Sequence, residues 1–219
     1  ATSGEAGQAF MAQMMPDDYN TPEVIAALTH IQKMFQEYTT VDAVGGKYEN
    51  AANAFLSGQT AMIANGPWMI GDFSDTTKAP EGFAEKVGVA IYPEGFAYDE
   101  PIQGYLVTRQ DDPEVEKAAV EMVKFFTSAY AQTVALENQG MLPASTNVEI
   151  TQAAKDRYPL LAEFVQALEG ATIRTATTQA TMYPNLLDIM SAELPNLASG
   201  AMTPDQFAQA LTDGAARNK

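Results

Sequence analysis

Three times in this chain a capping side chain stands directly before proline and an acidic residue: Thr21-Pro22-Glu23, Asp112-Pro113-Glu114 and Thr203-Pro204-Asp205. Each triplet meets several demands of a helix start together. The Thr or Asp oxygen accepts from a free N–H of the first turn, proline fills a position whose N–H has no partner, and the acid faces the positive end of the helix dipole. Helices are therefore expected from 21 to 38, 112 to 140 and 203 to 216. In the first, Val24, Leu28, Ile31, Phe35 and Tyr38 recur at helical spacing, so one face is apolar. Gly140 supplies a stop for the second, and Thr203 with Gln206 makes a capping box for the third. Further helices are expected at 49–57 (stopped by Gly58), 152–169 (stopped by Gly170) and 183–198. The last carries Tyr183, Leu187, Met190, Leu194 and Leu197 on one face, with Gly200 beyond its end.

Strand signals are fewer and short. They fall at 60–66, at 86–93, where Val87, Val89 and Ile91 alternate, and at 105–110. Helices alternating with short apolar strands predict an α/β protein. The Gly/Pro/Asp-rich stretches 71–82 and 93–101 read as loops, and the chain holds no internal repeat.

The residues also exclude much chemistry. Lys plus Arg number 12 against 28 Asp plus Glu, a formal charge of −16, so nucleic acid and anionic membrane are not expected partners. There is no cysteine, which removes thiol nucleophiles, disulfides and thiolate metal sites. The single histidine, His30, falls on the polar side of the first helix and has no second His to share a metal or build a triad. No apolar run approaches the roughly 18 residues of a membrane span. The opening ATSGEAGQAFM lacks the basic-then-apolar pattern of a signal peptide, so either none existed or it has been removed. Walker, Rossmann, HExxH and GxSxG signatures are absent. Carboxylates are plentiful but sit mostly in helix first turns and on polar faces. A binding protein without cofactor or metal is expected, with a carboxylate-dependent glycoside hydrolase as the alternative enzyme reading.

Aromatic residues at element ends are more informative. Tyr48 precedes a helix, Trp68 follows the Gly66-Pro67 break, Tyr105 opens a strand beside Gly104, and Tyr183 stands before Pro184. Rings at the mouths of elements are placed to line a cleft. A sugar offers an apolar C–H face that an aromatic plate can cover, and a hydroxyl rim that Asn, Gln, Asp, Glu and Arg can bind.

Taken in order, the motifs resemble the C-terminal part of the family 1 extracellular solute-binding proteins, the maltose-binding-protein-like receptors of ABC importers. The resemblance rests on NTPEVIAALTHIQKM, YENAANAFLSGQTAMIANGPW, KVGVAIYP, IQGYLVTRQ, PEVEKAAVEMVKFFTSAYAQ, NQGMLPA and LASGAMTPDQFAQAL. Its most specific piece is the series Phe55, Gly58, Ala61, Met62, Gly66, Pro67 and Trp68. It implies a periplasmic-binding-protein-like (type II) two-lobe α/β fold that closes on a ligand, of which this chain is the C-terminal portion. It further implies extracytoplasmic capture of a sugar or oligosaccharide and delivery to an ABC permease. Carried over by residue, it implies ligand contact at Trp68, Tyr48, Asn65, Gln103, Gly104, Tyr105, Tyr183 and Arg174. Residues 1–100 would be second-lobe, 101–145 a first-lobe segment, and 146–219 a return to the second lobe. The family's N-terminal half has no counterpart here, so apolar surface should be exposed, and the chain is expected either to pair with a partner supplying that half or to represent a proteolysed or truncated receptor. A truncated interaction or sensing domain is the alternative from another class.

Overall fold

A computed structural model describes residues 4–40, 43–98 and 104–218. The chain divides into two compact units, each built from discontinuous segments. Unit 1 comprises 1–47, 93–100 and 172–219; unit 2 comprises 48–92 and 101–171.

Unit 1 is organised by three helices, α2 (Pro22–Tyr38), α9 (Pro184–Ser199) and α10 (Pro204–Ala216). Their starts are as the sequence predicts. Thr21 Oγ1 accepts from Val24 N at 3.5 Å, and Thr203 and Gln206 form the reciprocal capping box. Gly200 ends α9 in the left-handed region at φ 80°. The three helices bury Leu28, Leu186, Leu197, Phe207, Ala208, Leu211 and Ala215 together with Tyr19 and Met182. Of the predicted α2 stripe, Leu28 is buried, Val24, Ile31 and Phe35 are half-buried, and Tyr38 is exposed. Polar side chains lock the packing: Gln32 Nε2 donates to the Leu197 carbonyl at 2.8 Å, and Thr212 Oγ1 accepts from Tyr19 N at 2.9 Å. His30 is exposed, as its place on the polar face requires. The short helices α1 (Gly4–Met11) and α8 (Thr178–Thr181) complete the helical part. A two-stranded parallel ladder joins β1 (Phe96–Tyr98) to β2 (Ile173–Thr175), with Phe96 opposite Ile173.

Unit 2 contains α3 (Tyr48–Leu56), α4 (Pro113–Phe126), α5 (Ala129–Gln139), α6 (Gln152–Arg157) and α7 (Leu160–Glu169). A 3₁₀ segment, Pro67–Ser74, runs among them. The core joins Leu56, Met69, Ile70, Phe73, Leu136, Tyr158 and Leu161. Phe55 meets Phe73 and Phe83 edge-on, with centroids 5.8 and 5.6 Å apart. Gly140 closes α5 at φ 69°, the expected stop.

Several expectations are corrected. The helix predicted over 112–140 is two helices, because Ser128 leaves helical geometry and its hydroxyl accepts from Ala131 N at 3.2 Å, starting α5 afresh. The helix predicted over 152–169 breaks at Tyr158-Pro159, since proline disfavours helical geometry in the residue before it. Residues 60–66, 86–93 and 105–110 form no strand among the described residues. Val87, Val89 and Ile91 do alternate as half-buried positions. Pleating alone makes no strand, because a strand exists only by pairing with a neighbour. The ladder lies instead at 96–98, within a stretch expected to be loop, and at 173–175.

Candidate functional site

The Gly66-Pro67 break sets the position of Trp68. Gly66 is extended (φ −132°, ψ −178°), and Pro67 enters the first position of the 3₁₀ turn, where its missing N–H costs nothing. That segment buries Met69, Ile70 and Phe73, which leaves Trp68 on its outer side, 52% exposed. The residue expected to follow a strand therefore begins a helix turn. The indole folds back over Gly66, in the space a Cβ on that glycine would need.

Asn65 ties this turn to Tyr48 at the start of α3. Its Nδ2 donates to Tyr48 Oη at 3.3 Å and to Met69 Sδ at 2.8 Å, and its Oδ1 accepts from Gly66 N at 2.9 Å. Tyr48, Asn65 and Trp68 are thus brought together in unit 2, with Tyr48 51% exposed. Two residues that sequence reasoning passed over complete the neighbourhood. Lys78 Nζ lies 2.6 Å from Asp72 Oδ1, and this hydrogen bond and the charge of Asp72, with smaller contributions from Asp75 and then Tyr48, raise the lysine pKa above its ordinary value. The available signal was the Asp75-Thr76-Thr77-Lys78 turn composition, which carries Lys78 back towards Asp72.

The other sequence candidates lie elsewhere. Tyr105 stacks on Phe126 of α4, centroids 5.6 Å apart and planes within 13°, and Gly104 beside it is exposed. Gln103 lies outside the described residues. Arg174 and Tyr183 belong to unit 1: Arg174 is exposed on β2 opposite Ala97, and Tyr183 caps α9. Tyr183 Oη donates to Asp17 Oδ1 at 3.3 Å. Near Tyr183 the buried hydroxyl of Tyr19 has no hydrogen-bond partner among the described residues, and burial, followed by Tyr183 and Asp17, pushes its pKa up to about 12.

A second surface of unit 2 is apolar and open. No residue of α4 is buried. Leu106, Met122, Phe125, Phe126 and Tyr130 are all exposed, and Phe125 leans on Tyr130 at 6.3 Å. Large exposed apolar side chains gathered in this way are the composition of an interaction surface rather than of an ordinary solvated one. Among the described residues no cluster of His, Asp or Glu could hold a metal ion, and no helix is long and apolar enough to cross a membrane.

Residues 2–163 match the family described as Bacterial extracellular solute-binding protein. The chain belongs to that family. Solved structures of solute-binding proteins share its fold. A chitin oligosaccharide binding protein matches with a TM-score of 0.79 at 21% identity, over 99% of this chain and 54% of its own. A Streptococcus pneumoniae solute-binding protein in complex with the blood group A-trisaccharide gives 0.78 at 20% identity, over 97% and 54%. Maltose-bound T. maritima MalE3 gives 0.67 at 18% identity, over 97% and 56%. This member of the solute-binding family therefore spans about half the length of the structures it matches. No protein of curated function matches it. The family and these neighbours are binding proteins rather than enzymes, and the fold expected from the motif series is the fold found.

Proposed function

We propose that this chain is the sugar-capturing part of an extracytoplasmic receptor, which hands a carbohydrate to the permease of an ABC importer without transforming it. The observation that carries the reading is the half-exposed indole of Trp68 fixed beside Tyr48 and Asn65. An aromatic plate with adjoining amide and phenol groups suits the C–H face and hydroxyl rim of a pyranose. Binding of a chitin oligosaccharide, a blood group trisaccharide and maltose by the structural neighbours supports the same ligand class. Gln103, Gly104, Tyr105, Tyr183 and Arg174 are secondary ligand contacts in this proposal. The lobe assignment, with 101–145 in the first lobe and 1–100 and 146–219 in the second, is also part of it. The receptor works outside the cytoplasm, in a periplasm or as a membrane-anchored lipoprotein.

The test is direct, because Trp68 is the one tryptophan of these 219 residues and the emission lost in Trp68→Ala isolates this position. Titration with maltotriose, chitotriose and the blood group A trisaccharide should shift the emission and raise the melting temperature with at least one of them. Trp68→Ala should abolish binding of that sugar. Unchanged emission and melting across the panel in the full-length protein would count decisively against sugar capture.

The open apolar face of α4 favours a second reading, in which this chain's main task is assembly with another polypeptide. In the receptor reading the same face is covered by the remaining half of a solute-binding fold, on this polypeptide or on a second one. Gel filtration separates the two: a sugar-responsive complex supports the receptor, and a complex indifferent to every sugar supports assembly alone.

A further inference from the structure

Beside the aromatic platform lies a charged pair whose geometry goes beyond simple solvation. Asp72 shares the 3₁₀ segment Pro67–Ser74 with Trp68. Lys78 is returned to it by a tight turn: Asp75 Oδ1 accepts from Thr77 N at 2.9 Å and Thr77 Oγ1 at 2.6 Å, while the Asp75 carbonyl accepts from Lys78 N and Ala79 N, both at 2.9 Å. Ala79 is buried, which anchors the end of the turn in the core. The two charged groups are therefore carried by built structure at both ends.

Both also remain reachable. The side chains of Asp72 and Lys78 are 30% and 50% exposed, and their contact runs through Oδ1 alone. Among the described residues Asp72 Oδ2 accepts no hydrogen bond, and the ammonium retains further N–H groups. An ion pair this exposed adds little to stability. Asn65 holds the Tyr48 phenol next to the Trp68 turn, in whose 3₁₀ segment Asp72 lies.

We propose that Asp72 and Lys78 together read two adjacent sugar hydroxyls at the edge of the Tyr48–Trp68 platform, selecting neutral glycans with a free vicinal diol. One hydroxyl donates to the carboxylate and its neighbour accepts from the ammonium, which uses the two capacities the pair leaves open. Charged sugars fit poorly. A uronate carboxylate reaching Lys78 meets Asp72 beside it, and an amino sugar reaching Asp72 meets Lys78. The overall charge of −16 further disfavours anionic ligands. This inference rests on the sugar-capture reading and adds the hydroxyl pattern that the site selects.

The experiment uses the full-length protein and the best-binding sugar of maltotriose, chitotriose and blood group A trisaccharide, together with its monodeoxy analogues, by calorimetry. Two adjacent deoxy positions should each weaken wild-type binding about tenfold, the scale of a hydrogen bond to a charged group. In Asp72→Asn and Lys78→Met, those two positions should cost less than about twofold, while the cost at other hydroxyls stays as in wild type. Lys78→Arg, which keeps the donor, should retain the tenfold penalty. A melting curve for each variant confirms that it is folded. An unchanged deoxy profile in folded Asp72→Asn and Lys78→Met overturns the pair as a reader and leaves the Trp68 platform standing. A wild type that binds none of the three sugars overturns both.

Discussion

The Trp68 indole lies so close over Gly66 that a methyl group on that glycine would overlap its ring. Gly66 has an ordinary extended backbone, so alanine brings no φ/ψ strain and the obstacle is the outer edge of one exposed side chain. Gly66→Ala should cost less than about 1.5 kcal/mol of stability. It should also swing the indole away, change its emission, and weaken sugar binding by about tenfold or more. Changed emission with unaltered affinity in Gly66→Ala would show that ring position is immaterial to binding.

Tyr19 carries a buried hydroxyl without a hydrogen-bond partner among the described residues. Removing an unsatisfied group is neutral or favourable, so Tyr19→Phe should stabilise unit 1 by up to about 1 kcal/mol at pH 7. The alkaline behaviour follows from the raised pKa of about 12 against 10.0. The folded state holds this proton more tightly than the unfolded chain, so its stabilising contribution is complete below pH 10 and is lost as pH rises through about 12. Stability should fall by on the order of 2–3 kcal/mol across that window, and Tyr19→Phe should remove that part of the fall. Urea denaturation at several pH values compares the two slopes.

Gly214 on α10 faces α9, where an added Cβ would sit 2.6 Å from Leu186 Cδ2 and even closer to Ile189. Alanine would gain roughly 1 kcal/mol in helix propensity but overpack a full core, an effect of about 1–3 kcal/mol. Gly214→Ala should therefore destabilise, and combining it with Ile189→Val should recover part of the loss. Thermal melts of the single and double variants decide this.

The Thr203 hydroxyl accepts from Gln206 N at 3.2 Å while Gln206 Oε1 accepts from Thr203 N at 2.9 Å. Thr203→Ala should lose about 1 kcal/mol and Thr203→Ser very little. For a chain of this size that is a drop of roughly 2–4 °C in melting temperature. Equal melting of the alanine and serine variants would remove the capping explanation.

The helix starts were legible because a cap is local: Thr21, Asp112 and Thr203 each act within three residues of themselves. The internal breaks at Ser128 and Pro159 carried local signals too, but continuous apolar periodicity across them read as single helices. Strands were not legible. Phe96 pairs with Ile173 across most of unit 2's sequence, and nothing near either residue announces the other. The site divides in the same way. Trp68 stood out by its place after Gly66-Pro67, and its link through Asn65 to Tyr48 stays within one stretch of chain. Asp72 and Lys78 escaped notice because a turn must close before their charges meet.

The Gln32 side chain bonds the Leu197 carbonyl, a partner 165 residues further along the chain. Most of the cover over the apolar face of α2 accordingly comes only with α9 and α10. During synthesis every residue of unit 2 leaves the ribosome before α9 and α10 do, although α2 was made first. Within these residues folding order is thereby inverted with respect to sequence: unit 2 is made before the two helices on which α2 depends. Closing so long a loop carries an entropic cost, and contacts this distant in sequence form slowly. The nascent chain must keep Leu28 and its neighbours out of wrong associations until α10 arrives to complete their core.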